Sequence, residues 1–405
     1  MKYLQVVSVV IGLSIILSNA TFAAIPHEKG RVSIAEKKED EHIGLWIEAE
    51  GENRPLSDRK EFNRLISKLT KYPFTDIYVQ LYRHGRSWYP TLSADSAPFI
   101  ENKEKGFYPI GELLSFASKR GIRVHAWLNV LRLGENPEVP LLQRAGMDAS
   151  LVDCRGQSLA ENKGMGTVGA RPDTPGIWLD PSHAEVVTSI VSVIHDLVSE
   201  YPSLSGIHLD MIRTTFPYGG GSWGGEPTLC KEFYTKREYE QLSAKRGLLS
   251  SSLVRSIFGQ VPKEVSKTEG VTNIVRNIRQ YLDWHAPQME LSAAVLSNQR
   301  KAKNYAHQDW TKWVSTGLID TAILMNYTTD SSQFYSESKE GLSESSRVSL
   351  GVGAWLGRNN TALVREQVRK IKSLKKKGLV LFSYSNLADS KGDRVLDAIF
   401  EEVKK

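Results

Sequence analysis

The 405-residue chain has only two cysteines, Cys154 and Cys230, which excludes a cysteine-rich zinc module or a dense disulfide scaffold. It has no HExxH helix and no CxxC pair, so two common routes to a protein-bound metal lack their ligands. No phosphate-cradling glycine loop and no GxSxG nucleophile elbow occur, which removes nucleotide chemistry and the α/β-hydrolase reaction. Basic residues are not gathered into one patch. The densest run, KSLKKKG at 372–378, is the exposed end of a helical pattern, and the net charge of +6 is spread through the chain. A nucleic-acid partner is therefore not expected.

Long apolar runs are equally scarce. One exists, from Val6 to Leu17, after Lys2 and before the small residues ending at Ala23. That layout predicts a cleaved signal peptide over 1–23, because the run is shorter than the roughly 20 residues that span a bilayer. The expected mature protein is exported, periplasmic or secreted, with no stable membrane insertion. Residues 24–41 form a polar lead-in without periodicity, and 42–405 a single domain. In an exported protein Cys154 and Cys230 could form one bridge.

What is present is a rhythm. Aliphatic and β-branched runs at 43–50, 75–82, 123–131, 206–213, 290–297, 321–327, 348–355 and 378–385 alternate with stretches of helical spacing. One of these, SHAEVVTSIVSVIHDLVSEY, carries a capping-box pattern at Ser182 and Glu185. Eight β–α units without hairpin turns predict an α/β fold, a single (β/α)8 TIM barrel with long loop insertions. A doubly wound sheet would want a GxGxxG turn after its first strand, where this chain has the acidic AEGEN.

Within the first four runs one face is aliphatic and the other is not. Trp46, Glu48 and Glu50 share a face, as do Tyr78, Gln80 and Tyr82; His125, Trp127 and Asn129; and His208 and Asp210. The aliphatic faces must meet helices, so the second set lines the lumen, with its late members at the carboxyl ends where barrel chemistry resides. Carboxylates surrounded by aromatics suit glycoside hydrolysis, which needs one protonated and one ionised carboxyl across the scissile bond. Asp210 is the expected nucleophile or charge stabiliser, and Glu48 or Glu50 the general acid. Tyr82, Trp88 and Trp355 are expected stacking surfaces, and His125, Asn129, His208, Asn326 and Tyr327 orienting groups. Trp46 and Trp127, lower in their strands, are expected core members. Arg83, His84 and Arg86 could bind acidic sugars or pair with the rim. The glycine-rich loops 155–176 and 214–230 could wall the subsites. No cofactor or metal is expected.

GLWIEAEGENRPLS, TDIYVQLYRHGRSWYP, GIRVHAWLNVLRLG, WLDPS, GIHLDMIR and HQDWTKWVSTGLID followed by ILMNYT resemble the glycosyl-hydrolase-like family 10 proteins, from about residue 43 to 385. The resemblance implies an exported bacterial barrel that hydrolyses polysaccharide, with Asp210 in its active site and cell-wall glycan as the leading substrate class. Certain relatives carry a glutamate near the end of strand three, where this chain has Asn129. The acid must then be Glu48, Glu50 or another group, or the protein binds glycan without cleaving it. A metal-dependent deacetylase using His125, His208 and Asp210 is a further alternative.

Overall fold

The computed structural model describes residues 42–154, 156–160, 176–215, 233–243, 266–375 and 378–405. The predicted signal peptide, the lead-in, Trp223, Cys230 and most of both glycine-rich loops lie outside them. Cys154 is disulfide-bonded.

Eight parallel strands close into a barrel: β1 (Ile43–Ile47), β2 (Asp76–Arg83), β3 (Arg123–Asn129), β4 (Gly206–Asp210), β5 (Glu290–Leu296), β6 (Thr321–Met325), β7 (Val348–Gly353) and β8 (Leu379–Phe382). β1 pairs in parallel with both β2 and β8, so no edge remains open. The helices that follow the strands in turn include α1 (Arg59–Lys71), α2 (Pro109–Ser118), α3 (Ala184–Glu200), α4 (Lys267–His285), α5 (Trp310–Ser315), α6 (Ser331–Glu344), α7 (Thr361–Ser373) and α8 (Ser390–Lys404). Among the described residues no helix is long and apolar enough to cross a membrane.

Strand alternation separates two cores. Outward residues such as Leu45, Ile47, Val79, Ala126, Leu209 and Val295 join the helices in one large apolar cluster. Inward residues Trp46, Tyr78, Trp127, Ala294, Ile323 and Val380 form a second cluster inside the barrel. Trp46 and Trp127 are buried there, as their low position in the strands predicts.

The expected cap of α3 is built differently. His183 is its N-cap residue and makes no side-chain cap bond. Asp180 instead accepts from the Ser182 amide at 2.8 Å and its hydroxyl at 2.6 Å, and Glu185 pairs with Arg144 at 2.9 Å. An aspartate two residues ahead competes for the same turn donors, so the SxxE spacing is not used.

The candidate active site

The barrel interior is stratified by height. At its amino-terminal end Asp76, the first residue of β2, receives Arg123 at 2.6 Å, His125 Nε2 at 3.0 Å and the Thr75 hydroxyl at 2.7 Å. Burial alone would raise the Asp76 carboxyl. Hydrogen bonds from His125 and His42 and the Arg123 charge outweigh it and hold the group well below the usual carboxylate range. His125 is fully buried in this network. The expectation that it orients substrate is therefore corrected: the third residue of a seven-residue strand lies far from the catalytic face.

Above it comes an aromatic layer. The Tyr78 ring lies 4.8 Å from His125, 4.7 Å from His208 and 5.8 Å from Trp46. His208 Nε2 accepts from the Trp46 indole at 3.0 Å, which places its proton on Nδ1, facing the Ser292 hydroxyl at 2.9 Å. Burial and the neighbouring His125 push its pKa well below the ordinary value, so the ring is neutral. The role expected for His208 is corrected in the same way. With both nitrogens occupied, it joins two strands through the barrel centre and does not face substrate. These commitments also deny the deacetylase reading two of its three ligands.

The top layer holds the carboxylates. Asp210 ends β4, opposite Asn129 in the strand register. Its Oδ2 accepts from the Trp127 indole at 3.1 Å and its Oδ1 from the Met211 amide at 2.7 Å. Burial raises its pKa, against the lowering effects of those two donors and of Arg213 and Arg83. Glu48 follows β1. Burial raises its pKa too, and its partners are neutral: the Ser383 hydroxyl, the Ser385 amide at 3.3 Å, the Ser385 hydroxyl and its own amide.

Glu50 stands apart. Arg83 Nε lies 3.2 Å from it, His84 Nδ1 3.6 Å and Arg86 3.9 Å. The close approach of His84, with the charges of Arg83 and Arg86, holds its carboxyl below the ordinary value despite partial burial. A carboxylate kept ionised in this way is a poor proton donor, so of the two expected acids the geometry favours Glu48.

Alternation placed Tyr82 in the lumen, and the structure corrects this. The β2–β3 register slips between Gln80 and Tyr82, so Tyr82 turns outward, opposite Leu128, and is buried in the helix-facing core. The bulge brings Arg83 inward instead, with NH1 3.2 Å from Gln80 Oε1 and its charge felt at Asp210. Gln80 also donates to Asn129 Oδ1 at 3.1 Å, which fixes the amide that stands level with Asp210.

Two more expectations are corrected. Trp88 packs into the outer core, its indole 3.4 Å from the Ser57 hydroxyl, and offers no face to a sugar. Asn326 donates to the Phe334 carbonyl at 2.9 Å and the Ser338 hydroxyl at 3.1 Å, pinning the start of α6. Trp355 is 36% exposed and meets Tyr327 edge-on at 5.0 Å. Both touch Phe382, at 5.9 Å and 5.5 Å. Phe382 and Ser383 were missed. Phe382 could have been found, since it alternates with inward Val380; a serine after a strand carries no such signal.

The WLDPS and GIHLDMIR segments interlock behind the site. Trp178 is fully buried under the Arg213 guanidinium at 4.8 Å, and the Leu179 amide donates to Leu131 at the exit of β3. Among the described residues no group of three or more His, Cys, Asp or Glu side chains is placed to hold a metal ion.

The family model described as Glycosyl hydrolase-like 10 matches residues 41–352. The chain belongs to this family. It is 24% identical over 268 residues to "Glycosyl hydrolase DigH" of Escherichia coli O6:H1, covering 63% of this chain and 55% of that protein. It is 22% identical over 269 residues to the protein of the same name in Escherichia coli K12, with the same coverage. The chain thus spans about half the length of the curated relatives it matches. The fold resembles the catalytic domain of a β-amylase from Paenibacillus polymyxa, with a TM-score of 0.57 and 10% identity over 91% of this chain and 99% of that one. A GH42 β-galactosidase from G. stearothermophilus gives 0.55 and 11%, over 91% and 57%. At these identities the likeness shows the barrel alone.

Proposed function

We propose that this family member is an exported glycoside hydrolase acting on a polysaccharide, with bacterial cell-wall glycan as the substrate class. Glu48 is its general acid, and Asp210 its nucleophile or the charge that stabilises an oxocarbenium-like transition state. The observation that carries this reading is the unequal solvation of two buried carboxyls at the lumen mouth. Asp210 accepts from two N–H groups, which can only donate, and feels two arginines. Those interactions favour its ionised form. The largest influences on Glu48 besides burial are neutral groups, the Ser383 and Ser385 hydroxyls and the Glu48 and Ser385 amides, and the Ser383 hydroxyl can accept as readily as donate. Both carboxyls are raised by burial, but arginines counter it only at Asp210, so Glu48 is assigned the proton. That is the division of labour glycoside hydrolysis requires.

Trp355 and Phe382 offer apolar ring surface beside the pair, and Arg83 and Arg86 offer positive charge at the rim for an acidic sugar. Export rests on the N-terminal sequence, and the wall-glycan substrate on the family and on those arginines. The deciding experiment is mass spectrometry of products from peptide-free cell-wall glycan and other polysaccharides, with Asp210→Asn and Glu48→Gln alongside. Defined oligosaccharides from the unaltered protein alone support the reading; binding without products from any of the three refutes it. The second outcome would favour a non-catalytic glycan-binding barrel, for which Asn129, level with Asp210 and fixed by Gln80, is the specific support.

A further inference from the structure

Tyr327 follows β6 and carries a buried hydroxyl with no hydrogen-bond partner among the described residues. Buried hydroxyls are normally satisfied, and one without a partner calls for an explanation; this one lies near enough to Asp210 and Glu48 to feel their charges. Its position is fixed from two sides: the ring stacks on Phe382 at 5.5 Å with 30° between planes, and Trp355 meets it edge-on. Behind it Gly351 supplies room, since a Cβ there would stand 3.4 Å from the ring and 2.7 Å from the Leu324 carbonyl. The hydroxyl feels the charges of both Asp210 and Glu48, and with burial these keep the phenol protonated far into the alkaline range.

We propose that Tyr327 is a third catalytic residue, whose hydroxyl donates a hydrogen bond to an oxygen of the sugar held between Glu48 and Asp210. This rests on the reading of those two carboxyls as the working pair. A rigid, neutral donor adds no charge to compete with the shared proton. Its ring is held by Phe382 and Trp355 before substrate arrives, which limits the reorganisation needed as the sugar distorts. It also fixes which face of the sugar meets Asp210.

Tyr327→Phe keeps the ring and deletes only the hydroxyl. Because that oxygen has no partner among the described residues, the variant should melt at the same temperature as the unaltered protein or slightly higher. A hydroxyl with a structural role would lower it. On the polysaccharide that the unaltered protein cleaves, kcat should fall about 100-fold with KM within about twofold, the pattern of a donor used mainly in the transition state. Equal turnover by both proteins overturns the assignment of Tyr327 and leaves the carboxyl pair intact. A fall in melting temperature accompanying the activity loss also overturns it, by making the hydroxyl part of the packing. Absence of turnover in the unaltered protein on every glycan tried overturns the carboxyl pair and this inference together.

Discussion

Replacing Glu48 by Gln removes one ionisable proton and almost no volume. The Gln oxygen can still accept from the Ser385 amide while its NH2 donates to the Ser383 hydroxyl oxygen, so the local fold should survive. A positioned general acid contributes on the order of 10²–10⁴ in rate, about 3–5 kcal/mol of barrier. A loss of that size is expected on the polysaccharide, whose leaving oxygen needs a proton. On an aryl glycoside, whose leaving group departs as a stable anion, the loss should shrink to less than about 10-fold because the proton is no longer required. The pH profile gives a second readout. Burial raises both Glu48 and Asp210, so the active window lies above the range of about 3.9–4.3 for ordinary carboxyls. Its acid limb is assigned to Asp210 and its alkaline limb to Glu48. In Glu48→Gln the alkaline limb should vanish and the acid limb remain. Stability runs the other way. A carboxyl whose folded value exceeds its unfolded one binds more protons when folded, so its burial costs stability as pH rises through that interval. The Gln variant should therefore be at least as stable as the parent at neutral pH, the two converging near pH 4. Turnover of polysaccharide within about threefold of the parent, or an alkaline limb left in place, would falsify the assignment of the acid.

Glu50→Gln tests the rejected acid: the alkaline limb should persist, and KM should change because Arg83 and His84 lose their partner, read from kcat and KM across pH. Asp76→Asn should destabilise the fold by about 2–3 kcal/mol, less than a fully buried pair because Arg123 is 38% exposed and keeps Glu290 at 2.9 Å. Asp76 is depressed in the folded state, so its stabilisation is complete above the unfolded value of about 3.9 and lost as pH falls below it. Denaturant titrations at pH 7 and pH 3 should show the gap between variant and parent closing, with kcat per folded molecule unchanged. Gly206→Ala would place a Cβ 2.4 Å from the Glu290 carbonyl and 2.8 Å from His125 Nδ1. Neither can withdraw, so about 3 kcal/mol of stability should be lost in thermal or chemical unfolding.

Alternation with a period of two made the barrel legible, because aliphatic faces had to meet helices and the remaining faces had only the lumen to occupy. It placed Glu48, Asp210, Trp46, Trp127 and His208 on the correct side of their strands. It could not supply height. His125 and Asn129 lie on one strand and one face, four residues apart. The first is sealed in a salt-bridged floor and the second stands level with Asp210. Nor does alternation survive a bulge: the extra residue between Gln80 and Tyr82 exchanged a tyrosine for an arginine at the mouth, and nothing in DIYVQLYR announces it. Glu48 and Glu50 share a parity as well, and only neighbours from other strands and loops separate them, Ser383 for one and the Arg83–His84–Arg86 turn for the other.

Height is also what separates stability from chemistry here. At the floor, Arg123 pairs with Asp76 and Glu290, and His125 shares a hydrogen bond with Asp76; removing these contacts should destabilise the protein without touching the reaction. In the middle, Trp46, Tyr78 and His208 fill the lumen and exclude water from below. Only above that plug do carboxyls appear without a full set of charged partners. A carboxyl buried by an aromatic floor, with solvent only on its open side, is pushed toward protonation. That environment favours a proton on Glu48. His125 and His208, which looked catalytic in sequence, thus lie in the layers beneath the two carboxyls and support them from below.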